Sequence, residues 1–308
     1  MKRLLYNNIA FFLLYMVLGC TNVEAESEPL SYVKEIAEFA ELPNLKAHQS
    51  MAIYGNYAIF ITHYYGLIGE LYDINKKEHL ASLSLPYSIP DMPHANTCCF
   101  GKTFWSKNSF LPLLYASSFN EEGDKGCYVY DLEYQKGHYI ANLVMKVIPE
   151  DCGDIIGKGA LDWVVDSDQG HLYSIAYKDA SAEKRFSWDN KMVLTKWRHP
   201  SPNTTGEVSL TQDDIIETSI LPPMPFSQDK FYYKNSVYII SGGANEGDSL
   251  MNRIRVINLS TMTIEHDYDI AQFGVREPEG FSNYGDRLLV TFNDGHPEKV
   301  WEYKIDNN

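Results

Sequence analysis

The chain has 308 residues and a formal net charge of −15 at neutral pH, with 44% hydrophobic and 22% charged residues. This is the balance of a globular protein with a sizeable core, and it excludes disordered and collagen-like chains. It also excludes a nucleic-acid binder, which needs a basic footprint to displace counterions. Tyr occurs 22 times and aromatics reach 13%; such residues suit half-buried pleated surfaces, so the composition points to β structure.

The N-terminus reads as an address. Lys2 and Arg3 precede an apolar stretch from about Ile9 to Leu18. That stretch is too short to span a bilayer and suits a secretory signal. It ends in Val17-Leu18-Gly19-Cys20, which resembles the bacterial lipoprotein box. The resemblance implies that residues 1–19 are removed and that Cys20 carries a lipid. The protein is then exported and anchored to the cell envelope rather than spanning it. Val17 and Leu18 depart from the Leu and the smaller residue that the family prefers. Cleavage of an ordinary signal near Glu24-Ala25 is the alternative. No Asp follows Cys20, which under the family's sorting rule indicates the outer membrane. Residues 20–30, with Glu24, Glu26 and Glu28, read as an acidic tether, and residues 31–308 as a single domain.

Four further cysteines are Cys98, Cys99, Cys127 and Cys152. Their spacing fits no zinc pattern. Export permits a disulfide from Cys98 or Cys99 to Cys127 or Cys152, and buried free thiols are the alternative.

A divergent repeat organises the rest. Gln49, Gln228 and Glu279 are each followed five positions later by a tyrosine, Tyr54, Tyr233 and Tyr284. Gly55-Asn56, Lys234-Asn235 and Gly285-Asp286 then form tight-turn steps, since Gly, Asn and Asp tolerate positive φ. Apolar runs follow at Tyr57–Thr62, Val237–Ile240 and Leu288–Phe292, so each unit opens with a β-hairpin. Third strands end near Tyr72-Asp73-Ile74, Tyr130-Asp131-Leu132, Ile257-Asn258-Leu259 and Tyr303-Lys304-Ile305. Fourth strands are expected at Leu80–Leu85, Ile140–Ile148 and Ile264–Ile270. Four antiparallel strands per repeated unit is the logic of an all-β, five-bladed β-propeller. Units run about 47–87, 94–148, 158–222, 226–270 and 277–306. The fifth lacks a fourth strand, which Tyr32–Phe39 supplies by closing the ring from the N-terminus. Splitting the long third unit would give six blades instead. Insertions fall at 103–111, 118–125, 179–190 and 198–213, and within the last His199–Gly206 is loop by its Pro, Ser, Asn and Thr content. Asp166-Ser167-Asp168-Gln169-Gly170 resembles the start of a calcium loop but lacks the later Glu, so a strand-connecting turn is expected. Trp105, Trp188, Trp197, Tyr64 and Tyr65 lie in or beside predicted loops.

The first strand of each propeller blade lines the central channel. The polar residues at its start therefore converge: His48 and Gln49, His94 and Asn96, Asp162, Gln228, and Glu277 with Glu279. Such a ring is a default ligand site, although the same groups can serve backbone or channel water. The Glu279-Gly280 step resembles one that opens a blade in calcium-dependent propeller hydrolases of the gluconolactonase and phytase-like groups. That implies Ca²⁺ held by oxygens of Glu279, Asn96 and Asp162, with His48 or His94 handling protons. Five-bladed glycosidases offer a second comparison, with Asp162 and Glu279 as the carboxylates. Gln and Asn occupy the corresponding positions of units one, two and four. The signal, His94-Ala95-Asn96-Thr97, Arg276-Glu277-Pro278-Glu279-Gly280 and the strand repeat together resemble lipoprotein propellers of Gram-negative bacteria, loosely TolB-like and NHL-like. The resemblance implies fold and location. The expected role is a cell-envelope propeller that binds a ligand, glycan or protein partner at its channel face; a calcium-dependent hydrolase at the axis is the alternative.

Overall fold

The computed structural model describes residues 28–29, 33–42, 45, 48–62, 67–86, 95–117, 125–166, 168–179, 187–201, 203–243, 252–270, 276–293 and 299–305. Cys20, the signal, His94, Tyr64 and Tyr65 lie outside them.

Five small sheets form a five-bladed β-propeller. Blade one comprises His48–Tyr54, Tyr57–Thr62, Ile68–Asp73 and Glu78–Ser84. Blade two comprises Cys98–Phe100, Leu114–Ser117, Cys127–Gln135 and His138–Pro149. Blade three comprises Lys158–Asp166, His171–Tyr177, Met192–Arg198 and Ile215–Leu221, a single unit and not two. Blade four comprises Ser227–Tyr233, Ser236–Ser241, Arg253–Asn258 and Thr263–Asp269. Blade five takes Pro278–Tyr284, Arg287–Phe292 and Lys299–Ile305 from the C-terminus and Val33–Glu41 from the N-terminus. The closing strand is antiparallel, from Val33 opposite Ile305 to Glu41 opposite Lys299.

The hairpin turns follow the residues that allow them. Gly55 and Gly285 have φ of 59° and 65°, and Lys234 and Asn235 have 47° and 61°, the positive-φ pair of a turn matched to strand twist. The Asp166 segment is a turn: Asp166 Oδ1 accepts the N–H groups of Asp168 and Gln169 at 2.8 and 2.9 Å.

Two outer edges carry an added strand. Gly206–Leu210, inside the insertion at 198–213 and just past the loop-like His199–Gly206, runs parallel to Met145–Pro149 of blade two. Its Val208 and Leu210 give it an apolar side that the surrounding Pro, Ser and Thr obscure in the sequence. Glu28 and Pro29, at the end of the stretch read as tether, pair in parallel with Tyr268 and Asp269 of blade four.

The core lies between blades. Trp163 and Trp197, with ring centroids 5.8 Å apart, are fully buried in the largest apolar cluster. Trp197 lies in the strand Met192–Arg198, beside the insertion that follows it, and its indole N–H donates to Ser174 Oγ at 2.8 Å. Burying a side chain of this size contributes about 4–6 kcal/mol before entropic costs. All four described cysteines are buried free thiols, and burial pushes the Cys99 thiol up to about 12.

Candidate ligand site at the channel mouth

The inner strands begin irregularly, and the irregularity builds the site. The pairing register slips at Gln49 in blade one, at Glu279 in blade five and across Gln228-Asp229 in blade four. Such bulges re-aim side chains that regular alternation would send into the blade interfaces. Gly280 permits the close approach of blades one and five: a Cβ there would stand 3.0 Å from the Cβ of Met51.

Glu277, Glu279, Gln49 and Gln228 come together at this end of the axis. Gln228 Nε2 donates to Glu277 Oε1 at 3.4 Å, and Asn293 Nδ2 donates to Glu277 Oε2 at 3.3 Å. Glu279 is 4% exposed. Burial, then the negative charges of Glu277 and Asp229, hold its carboxyl well above the ordinary 4.5, partly opposed by hydrogen bonding from Gln49. These surroundings favour the protonated carboxyl, which donates a hydrogen bond, next to acceptors and carboxamides that can do either.

Other expected residues take different places. His48 is buried in the seam between blades one and five, hydrogen-bonded through Nε2 to Thr291 Oγ1 and packed edge-on against Phe60. Asn96 is half-buried at the start of blade two's inner strand. Asp162 faces a lysine: its Oδ2 lies 2.7 Å from Nζ of Lys230, whose side chain has no exposure. The oxygen set assigned to calcium thus already has a resident cation at Asp162. Among the described residues no group of three or more His, Cys, Asp and Glu side chains is arranged to hold a metal ion.

The sequence reading missed the residue at the centre. Asp229 is fully buried, and its Oδ2 accepts the backbone N–H of Met51 in blade one at 2.8 Å and of Phe281 in blade five at 2.9 Å. Oδ1 accepts the N–H of Lys230 at 2.7 Å. Burial raises its carboxyl well above 3.8, against the pull of those donors and of Lys230. Its signal was available: Gln228-Asp229-Lys230 is a polar run inside an inner strand. Asp229 and Lys230 follow Gln228 along the same inner strand and are fully buried, so a layer of charged groups lies beneath the cup formed by Gln49, Gln228, Glu277 and Glu279.

No protein-family description matches the chain, and no curated protein matches it. Solved structures do share its fold. Glutaminyl cyclase of Myxococcus xanthus superposes with a TM-score of 0.51 at 10% identity, over 89% of this chain and 96% of that one. A glucose dehydrogenase-type oxidoreductase of Thermus thermophilus gives 0.45 at 10% identity, over 88% and 99%. The first likeness spans nearly the whole length of both chains and concerns the propeller fold alone.

Proposed function

We propose that this protein is a lipid-anchored propeller of the cell envelope that binds a polar ligand, a glycan or a partner's side chains, in the cup over Glu277 and Glu279. The observation that carries the reading is the convergence of Gln49, Gln228, Glu277 and Glu279 from three blades beside the buried Asp229. The location rests on Val17–Cys20 and on the acidic residues after it. Burial favours the protonated, donating form of Glu279, and Glu277 offers an acceptor, with Gln49 and Gln228 beside them. Such a set suits a ligand that both donates and accepts. Thermal unfolding against a panel of sugars, amino-acid amides and short peptides tests it. A ligand at ~100 times its dissociation constant adds about 2.7 kcal/mol to stability, several degrees for a domain of this size. The shift should vanish in Glu279→Gln and in Gln228→Ala. A flat panel sinks the reading.

A hydrolase or transferase at the same cup is the second reading. It is favoured by one observation: a buried carboxyl held above its ordinary range beside a second carboxylate is the pairing that general acid catalysis uses. The fold shared with glutaminyl cyclase adds glutaminyl peptides to the lactones and phosphoesters worth screening. Calcium enters this reading through Glu279, Asn96 and Asp162, and the Lys230 ammonium at Asp162 weighs against it. Turnover that survives EDTA and fails in Glu279→Gln supports the metal-free form.

A further inference from the structure

A second cleft lies at the opposite end of the axis, where the inner strands run out into their turns. Ile53 of blade one, Phe100 of blade two, Tyr232 of blade four and Ser282 and Asn283 of blade five are among its lining residues. The buried Asp229 and Lys230 lie between it and the cup along the inner strand of blade four. Two aromatic rings stand beside it in the open. Tyr54 is 41% and Phe104 47% exposed. Tyr54 packs edge-on against Phe100 and Phe104, each with centroids 6.1 Å away, which fixes the ring. Exposed rings gathered at a cleft mark an interaction site more often than scattered ones do.

The polar groups there narrow the ligand. Asn283 Nδ2 donates to Gly285 O at 3.1 Å, while Asn283 Oδ1 and Ser282 Oγ have no hydrogen-bond partner among the described residues. The nearby charges cancel: Lys102 pairs with Asp168 at 2.7 Å, and Asp168 also accepts the Tyr232 hydroxyl at 2.7 Å. Among the described residues that line the cleft none is charged, and a net charge of −15 disfavours phosphate-bearing ligands. What fits is a neutral molecule with a flat C–H face and a hydroxylated edge. We propose that this cleft binds a single pyranose ring of a glycan, its C–H face stacked on Tyr54 and its rim against Phe104, which stands at 79° to that ring, with hydrogen bonds from Ser282 and Asn283. The site is separate from the cup and stands whether or not the cup binds anything.

Saturation-transfer NMR on the full chain tests it, with the methyl glycosides of glucose, galactose, mannose and N-acetylglucosamine as probes. At least one should show transfer to its ring C–H protons. Tyr54→Ala and Phe104→Ala should each weaken that glycoside about tenfold, the scale of one aromatic contact. Glu279→Gln, which disables the cup, should leave the signal in place. Transfer from none of the four, transfer that survives both ring deletions, or transfer lost in Glu279→Gln overturns the proposal. Phe104 lies in a connection between strands, so its variant decides the matter if Tyr54→Ala does not fold.

Discussion

The ammonium of Lys230 in blade four, wholly buried, reaches the carboxylate of Asp162 in blade three at 2.7 Å. The pair ties two inner strands together beside the axis and neutralises a charge that would otherwise stand in a low-dielectric interior. Removing one partner of a buried pair typically costs about 3–5 kcal/mol. Lys230→Met should therefore lower stability by about that amount in urea unfolding. Lys230→Met with Asp162→Asn should recover part of the loss, because neither charge is then stranded. Additive losses would show that the two side chains do not interact.

Glu279 gives a signed pH dependence. Its folded carboxyl is held well above 4.5, so its contribution is fully present below that value and is lost as pH rises through the folded value. The wild-type melting temperature should therefore fall as pH climbs from about 4.5. Glu279→Gln, which cannot ionise, should show a shallower fall over the same window. Parallel profiles for the two proteins would mean that Glu279 is not protonated in the folded state.

Cys98, Cys99, Cys127 and Cys152 should resist thiol reagents in the native protein at neutral pH and all react once it is unfolded. Burial holds Cys98 and Cys127 well above the ordinary 9.0 and Cys152 above it. Mass spectrometry after alkylation reads the result. A site blocked even after unfolding would indicate a disulfide in the isolated protein.

Deleting residues 33–41 should strip blade five of its outer strand and leave Lys299–Ile305 as an unpaired edge. The expected outcome is loss of a cooperative thermal transition and soluble aggregates on gel filtration. A variant that melts like the full chain would show that ring closure adds nothing.

The repeat was legible because its signals are local. Tyr54, Tyr233 and Tyr284 sit just before turn residues that only certain backbones accept, and those positions repeat in register. The closing strand was legible by elimination, since Lys299–Ile305 needed a partner. The site was legible only in part. Gln49, Gln228, Glu277 and Glu279 converge as the propeller rule expects. The engagement of Asp162 by Lys230 was not readable, because it joins residues 68 positions apart through a lysine in a strand that otherwise turns apolar. Asp229 was marked in the sequence only as part of the polar run Gln228-Asp229-Lys230; its role was not readable, because its partners are backbone groups of Met51 and Phe281, which leave no trace in residue type. The strand Gly206–Leu210 was hidden because parallel pairing to a distant edge carries no turn signature.

That last strand leaves blade three, lies along blade two and returns before Ile215. The boundary between those blades is thus crossed twice by covalent chain and held by a backbone ladder as well as by side-chain packing. Glu28 on blade four and Val33 on blade five place a similar crossing at the other side of the ring. Blades two and three, and blades four and five, are in effect clamped as pairs, and the three boundaries without such a crossing, between blades one and two, three and four, and five and one, are where heat or force should first let the ring open.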